Sequence, residues 1–209
     1  KKGDVHQAVI VRTAREIQER LLPHEMPELP GWEITGVSVP SLQVGGDYFD
    51  FLDLPEGRLG IAIADVSGKG IPAALLMANL QALLRGQVIH SLDVAETVGR
   101  MNDLLSRSTD FGRFATFFYG VLDRITEAQG PVAAPVAAPG AAGAAEDDED
   151  EADEPVNLFG DEKLREVVVA AAGGPAPALR DAILSAVEAH AAGVPPSDDI
   201  TLLVIRRTR

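Results

Sequence analysis

Three acidic positions sit where an extended run meets a turn. Asp47 follows two glycines in VGGDYFDF (44–51), Asp65 ends IAIAD (61–65), and Asp198 with Asp199 opens DDITLLVIR (198–206). Acids cap turns constantly, so any one of these alone is most simply structural. Together they form a different pattern: carboxylates at strand ends, two of them beside glycines that let backbone approach closely. Hard divalent cations take carboxylate, carbonyl and water oxygens. Two such ions a few ångströms apart can hold a water and lower its pKa. Carboxylates gathered without a cation repel and raise one another's pKa. If Asp47, Asp65 and Asp198 converge, Mg²⁺ or Mn²⁺ is the natural way to neutralise them.

Other chemistries fit less well. The loop SGKG (67–70) has no glycine five positions before Gly68, and Lys69 is followed by Gly70 rather than Ser or Thr, so it is not a Walker loop. Lys69 reads as an exposed loop cation, with support of a phosphoryl group as the alternative. The four histidines, His6, His24, His90 and His190, lack metal-ligand spacing. There is no GxSxG elbow. The absence of cysteine removes disulfides, thiolate zinc sites and cysteine nucleophiles.

The chain has 209 residues, 46% of them hydrophobic, enough for one ordinary domain with a core. Its net charge of −14 argues against a nucleic-acid surface, which needs clustered Lys and Arg, and against anionic lipid. Eight of the 32 acids lie in EDDEDEADE (146–154), read as a solvated run. No apolar stretch of membrane-spanning length is present, and KKGDVHQAV carries no apolar signal region. A cytoplasmic location is the expectation.

These acids need elements to hold them. Residues 5–22 have helical spacing, with Val9, Val11, Ala14, Ile17, Leu21 and Leu22 on one broad face, stopped by Pro23. WEITGVSVP (32–40) alternates as a strand. Residues 44–66 read as two strands joined by a turn at Pro55–Gly57. Pro72 suits the first turn of a helix running to about Ile89, in which Gly86 reads as a packing feature. A helix over Val94–Ser106 and a buried strand over 114–123 follow. GPVAAPVAAPGAAGAA (130–145) and the acidic run cannot bury a core, which predicts a disordered insertion over 129–156. Helices over 157–172 and 178–193, the latter closed by Gly193, precede a last strand at 198–206.

Five ordered blocks, IQERLLP (17–23), VGGDYFDF (44–51), ADVSGKGIPAALLMA (64–78), FATFFYGVLD (114–123) and DDITLLVIR (198–206), resemble the bacterial SpoIIE/RsbU-like branch of the PPM (type 2C) metal-dependent Ser/Thr protein phosphatases. The resemblance implies an α+β fold: an α-β-β-α sandwich of two antiparallel sheets flanked by helices. It implies a two-metal Mn²⁺ or Mg²⁺ centre and hydrolysis of phosphoserine or phosphothreonine by metal-activated water. Asp47 matches the GGD acid and Asp65 the bridging carboxylate. Val66 matches the position lending its carbonyl, and Asp198, with Asp199 beside it, the acid of the final motif. Residues 1–22 would be the linker helix to an upstream sensor or activator, and 23–209 the phosphatase domain. The implied substrate is a phosphorylated anti-anti-sigma-like protein of signalling or stress response. A homodimer through residues 5–22 is the corresponding hypothesis.

The sequence departs from that pattern at one place. The family carries an NAGH-like motif and a TDG or SDG motif before a VTEA-like sequence, and the DG aspartate is a metal ligand. Here VLD (121–123) runs straight into RITEA (124–128), and Arg124 stands immediately before ITEA. Three readings follow: a chain that binds its partner without cleaving, a segment missing from the sequence, or a replacement by residues 129–156. The alternative function is therefore a catalytically impaired pseudophosphatase, a partner-binding module with one metal lost.

Overall fold

The computed structural model describes residues 2–90, 93–109, 112–122, 159–194, 196 and 198–208. The expected insertion at 129–156, the acidic run and the RITEA segment lie outside these residues. Helix α1 spans Lys2–Leu21, followed by strands β1 (Trp32–Val39), β2 (Tyr48–Leu54) and β3 (Arg58–Val66). Helices α2 (Ile71–Gln87) and α3 (Val94–Ser108) precede β4 (Ala115–Leu122), and α4 (Gly160–Ala171) and α5 (Ala176–Ala191) precede β5 (Ile200–Arg207).

The strands form two antiparallel sheets, β1–β5 and β2–β3–β4. Side chains alternate across a strand, and in β2 and β3 both faces are apolar. On the even-numbered face, Tyr48, Leu52, Leu54, Ala62, Ala64 and Val66 pack against Ala73, Met77, Leu80 and Leu84 of α2 and Val98 and Met101 of α3. On the odd-numbered face, Phe51, Leu59 and Ile61, with Leu122 of β4, meet Ile34 of β1 and Leu203 of β5. Sheet lies on sheet, α2 and α3 cover one outer side, and α5 lies against β1 and β5 on the other. Gly36 permits this closeness: a Cβ there would stand 2.6 Å from Leu203 and 2.9 Å from Phe49.

Local signals account for most ends. Pro72 occupies the first turn of α2. Asp93 caps α3, its carboxylate accepting the Glu96 amide at 2.7 Å. Helix α5 ends at Ala192 (φ 50°) and Gly193 (φ 87°), so the left-handed exit begins one residue before the expected glycine.

Two expectations change. The predicted face of α1 is split: Val11, Ala14, Leu21 and Leu22 are half-buried and Gln18 buried, whereas Val9 (45% exposed) and Ile17 (57%) turn outward. The helix settles on the polar Gln18 because both ends of its amide are bonded to the buried Gly45 peptide in the loop before β2. A Cβ at Gly86 would meet nothing within 4 Å, so no close packing requires glycine there.

Candidate metal centre

The face pattern of the strands decides where the acids go. Asp65 shares the odd-numbered face of β3 with Leu59 and Ile61, the face that meets the other sheet. Asp47 precedes β2 on the parity of Phe49 and Phe51, and Asp199 precedes β5 on the parity of Thr201 and Leu203. Each acid therefore extends an inward-facing row just past the point where the two sheets stop covering one another. Asp47, Asp65, Asp199 and Thr201 line one cleft of about 470 Å³, completed by Thr116, Phe117 and Phe118 of β4. Thr116 stands opposite Asp65 in the ladder.

Their charges act on one another. Asp47 is only 8% exposed, and its pKa is pushed from 3.8 up to about 6. Burial is the main cause. The Thr201 hydroxyl, shared between Asp47 and Ser38 Oγ (3.0 Å), opposes it, and the charges of Asp65, Asp199 and Asp198 reinforce it. Asp65 reaches solvent at the cleft mouth, yet its pKa is raised too, first by lost hydration and then by Asp198 and Asp199.

The remaining expected ligands stand differently. Both oxygens of Asp199 hold the loop before β2: Oδ1 accepts from Ser41 N (2.8 Å) and Oγ (2.9 Å), and Oδ2 from Gly46 N (2.9 Å). Asp198 is exposed, outside the residues lining the cleft, and accepts the Asp199 amide at 3.0 Å. Val66 is buried with its carbonyl against Gly46, where a Cβ would come within 2.6 Å of it. Lys69 is exposed. The histidines are not gathered: His190 lies edge-on to Phe159 (5.6 Å) and 2.9 Å from Lys163 Nζ, on the far helices.

A family profile described as Stage II sporulation protein E (SpoIIE) matches residues 55–129. Phosphoserine phosphatase RsbU of Bacillus subtilis is 33% identical over 109 residues, covering 52% of this chain and 32% of that protein. Protein IcfG of Synechocystis sp. is 30% identical over 136 residues, covering 52% of this chain and 22% of that protein. The matched region is thus a third or less of each relative. Among solved structures, the SiaA-PP2C domain of Pseudomonas aeruginosa superposes with a TM-score of 0.74 at 18% identity, covering 100% of this chain and 98% of that one. The RsbU and RsbW domains of a Mycobacterium tuberculosis protein give 0.63 at 20% identity, covering 90% of this chain and 63% of that one. Over about half its length the chain is thus similar to SpoIIE- and RsbU-type phosphatase sequences. The two structures, at these identities, speak to the fold, which is the expected α+β arrangement of antiparallel sheets and helices.

PPM domains are generally metal-dependent, so the donors deserve a test. In kind they suit a hard cation: the carboxylates of Asp47 and Asp65 share a cleft wall with no sulfur donor, and their raised pKa values mark charge that a cation would neutralise. In arrangement they are open. Among the described residues, no three His, Asp or Glu side chains form a group that could hold a metal ion. The donor set fits a hard cation as part of a shell.

Sequence reasoning missed the support behind the site. Asp50 is 1% exposed and faces α2. It accepts from Arg85 Nε (2.9 Å) and Nη2 (3.0 Å), Tyr48 Oη (2.8 Å) and its neighbour Phe51 N (2.9 Å). Such a fork of charge-assisted bonds is what a buried carboxylate needs. Asp50 raises the Arg85 pKa through these bonds, and burial beside Asp50 raises that of Tyr48. One signal was available: in YFDFLDL, Asp50 shares the parity of Tyr48, Leu52 and Leu54, an acid in a buried row. Gln18 and Thr201 gave no such signal.

Proposed function

We propose that this domain is a metal-dependent protein serine/threonine phosphatase acting on phosphoserine or phosphothreonine of a signalling protein of the anti-anti-sigma type. The observation that carries this is the meeting of Asp47, Asp65 and Asp199, from three separate strand ends, in one cleft of an RsbU-like domain. A bound Mn²⁺ or Mg²⁺ would supply Lewis acidity and a water ionised near neutral pH. Asp47 and Asp65, with the Val66 carbonyl, are the groups we assign to hold it. Asp198 adds negative charge at the rim and Asp199 fixes the loop that carries Asp47. Thr116 and Thr201 border the cleft that a phosphoryl group would enter.

Among the described residues no helix is long and apolar enough to cross a membrane. A cytoplasmic signalling role is part of this proposal. The outward row of α1, Val9, Ile10 and Ile17, supports contact with an upstream sensor or a second copy.

A second reading keeps the partner and drops the chemistry: a pseudophosphatase that sequesters its signalling protein. Two observations favour it, the open donor arrangement and Arg124 immediately before ITEA. Phosphate release from a phosphoserine protein, with and without Mn²⁺, separates the two. Metal-dependent turnover lost in Asp65→Asn, with the fold retained, supports the enzyme. No turnover in a folded chain that still binds Mn²⁺ supports the second reading.

A further inference from the structure

The cleft is not acidic throughout. Beside Asp47, Asp65 and Asp199 it is lined by Ile63, Ala64, Phe117 and Phe118. Ile63 and Phe118 stand directly opposite one another in the ladder, two residues inward from the Asp65–Thr116 pair. Directly opposed residues share a face, so both lie on the inter-sheet face with Asp65. Further along that face Leu59, Ile61 and Leu122 are buried against the other sheet, whereas Ile63 and Phe118 are only half-buried. The apolar row therefore runs out of the core into the cleft before it reaches the acid.

Phe118 is set as a floor. The next residue on its face is Gly120, and a Cβ there would stand 3.3 Å from Phe118 Cζ. The ring thus lies back over that glycine, away from Thr116. On the other face of β4, Phe117 stacks on the buried Tyr119 with ring centroids 6.5 Å apart and planes 7° from parallel, which anchors this stretch of the strand. Covering an aromatic–aliphatic pair with another apolar side chain releases water and is favourable, whereas a charged side chain there would exchange hydration for apolar surface.

The spacing fits a peptide. A strand rises about 3.3 Å per residue, so Phe118 lies about 6–7 Å along β4 from Thr116. An extended substrate segment has the same rise, and its residues two apart face the same side. A phosphoserine held beside Asp65 and Thr116 then sets the side chain two positions away over Ile63 and Phe118.

We infer that Ile63 and Phe118 form a specificity subsite: the domain selects segments that bind extended and carry a leucine-sized apolar side chain two positions from the phosphoserine. As selection of a substrate, this rests on the phosphatase reading above. In a closed apolar pocket one methylene discriminates by about 10–200-fold, so on this open floor a whole leucine should reach about tenfold.

The test uses synthetic phosphoserine peptides of one alanine-rich background, with Leu, Ala, Lys or Asp two positions before or after the phosphoserine. Mn²⁺-dependent phosphate release gives kcat/KM, and fluorescence anisotropy of dye-labelled peptides gives binding without turnover. At one of the two positions Leu should exceed Ala by about tenfold and exceed Lys and Asp by more. Phe118→Ala should bring the Leu-to-Ala ratio close to one, and Phe118→Glu should turn the preference from Leu to Lys. Equal wild-type kcat/KM for the Leu and Asp peptides at both positions overturns the inference. So does a Phe118→Ala chain with a lower melting temperature and an unchanged Leu-to-Ala ratio. If Phe118→Ala does not fold, Ile63→Ala decides by the same ratio. If the wild-type chain releases phosphate from none of the peptides, the phosphatase reading fails. Anisotropy then judges the subsite alone: tighter binding of a Leu peptide, lost in the variant, keeps it, and equal binding of all four residues removes it.

Discussion

Asp47 should cost the metal-free domain stability, and removing its charge should give that stability back. Its pKa stands near 6 in the folded chain against 3.8 as the ordinary value. The sign follows from proton binding. Below about pH 4 both folded and unfolded chains hold the proton, and the group costs nothing. Between pH 4 and 6 the unfolded chain ionises first, so stability falls as pH rises. Above pH 6 the loss is complete and constant. A shift of about two units corresponds to about 3 kcal/mol. Water at the open cleft screens part of it, so about 1–3 kcal/mol is the working range. Asp47→Asn keeps the size and an acceptor for Thr201 while removing the charge. In EDTA at pH 7.5 its melting temperature should rise by roughly 2–4 °C per kcal/mol for a chain of this length. Near pH 4 the gain should vanish. Adding Mn²⁺ should reverse the ranking, because ligand stabilises only the form that binds it. Urea denaturation at both pH values, with and without Mn²⁺, reads all of this. An Asn variant that is equally destabilised at pH 4 and pH 7.5 would refute the reasoning, since Asp47 would then be acting as a structural hydrogen-bond acceptor.

Three further outcomes are expected. Gly45→Ala drives a methyl group into Asp199 Oδ2, so it should cost about 1–3 kcal/mol by denaturation and weaken Mn²⁺ binding in calorimetry. Arg85→Met strips the buried Asp50 of its two charge-assisted bonds. Because the Arg85 side chain is 55% exposed and water can replace part of it, we expect about 2–3 kcal/mol, below the cost of breaking a fully buried pair. Combining it with Asp50→Asn should recover part of the loss. Ile17→Asp, on the outward face of α1, should leave the melting temperature nearly unchanged and lower the mass by light scattering if α1 carries a homodimer contact. An unchanged mass removes that contact.

The elements were legible because their signals are local. Alternation marked β1, β2 and β3, proline marked the start of α2, and the expected strand ends lie within a few residues of the observed ones. The face of α1 was not legible, because hydrophobicity pointed to Ile17 while the helix turned on Gln18, whose partner is a backbone peptide 27 residues away. Asp50 was readable in principle, as an acid in a buried row, but its partner Arg85 lies 35 residues along the chain.

By itself the sequence determined where the acids stand along the chain, which strand ends carry them, and that no sulfur or histidine cluster competes with them. Those properties depend on residue type and on neighbours a few positions away. Only the tertiary structure decided that Asp47, Asp65 and Asp199 border the same cleft. That depends on the pairing register of two sheets, where a slip of one residue would turn each row to the other face. It also decided that Asp199 spends both oxygens on the loop rather than on the cleft. Hydrogen-bond partners across more than 150 residues follow from the packing of β5 against β1, which composition and spacing do not contain.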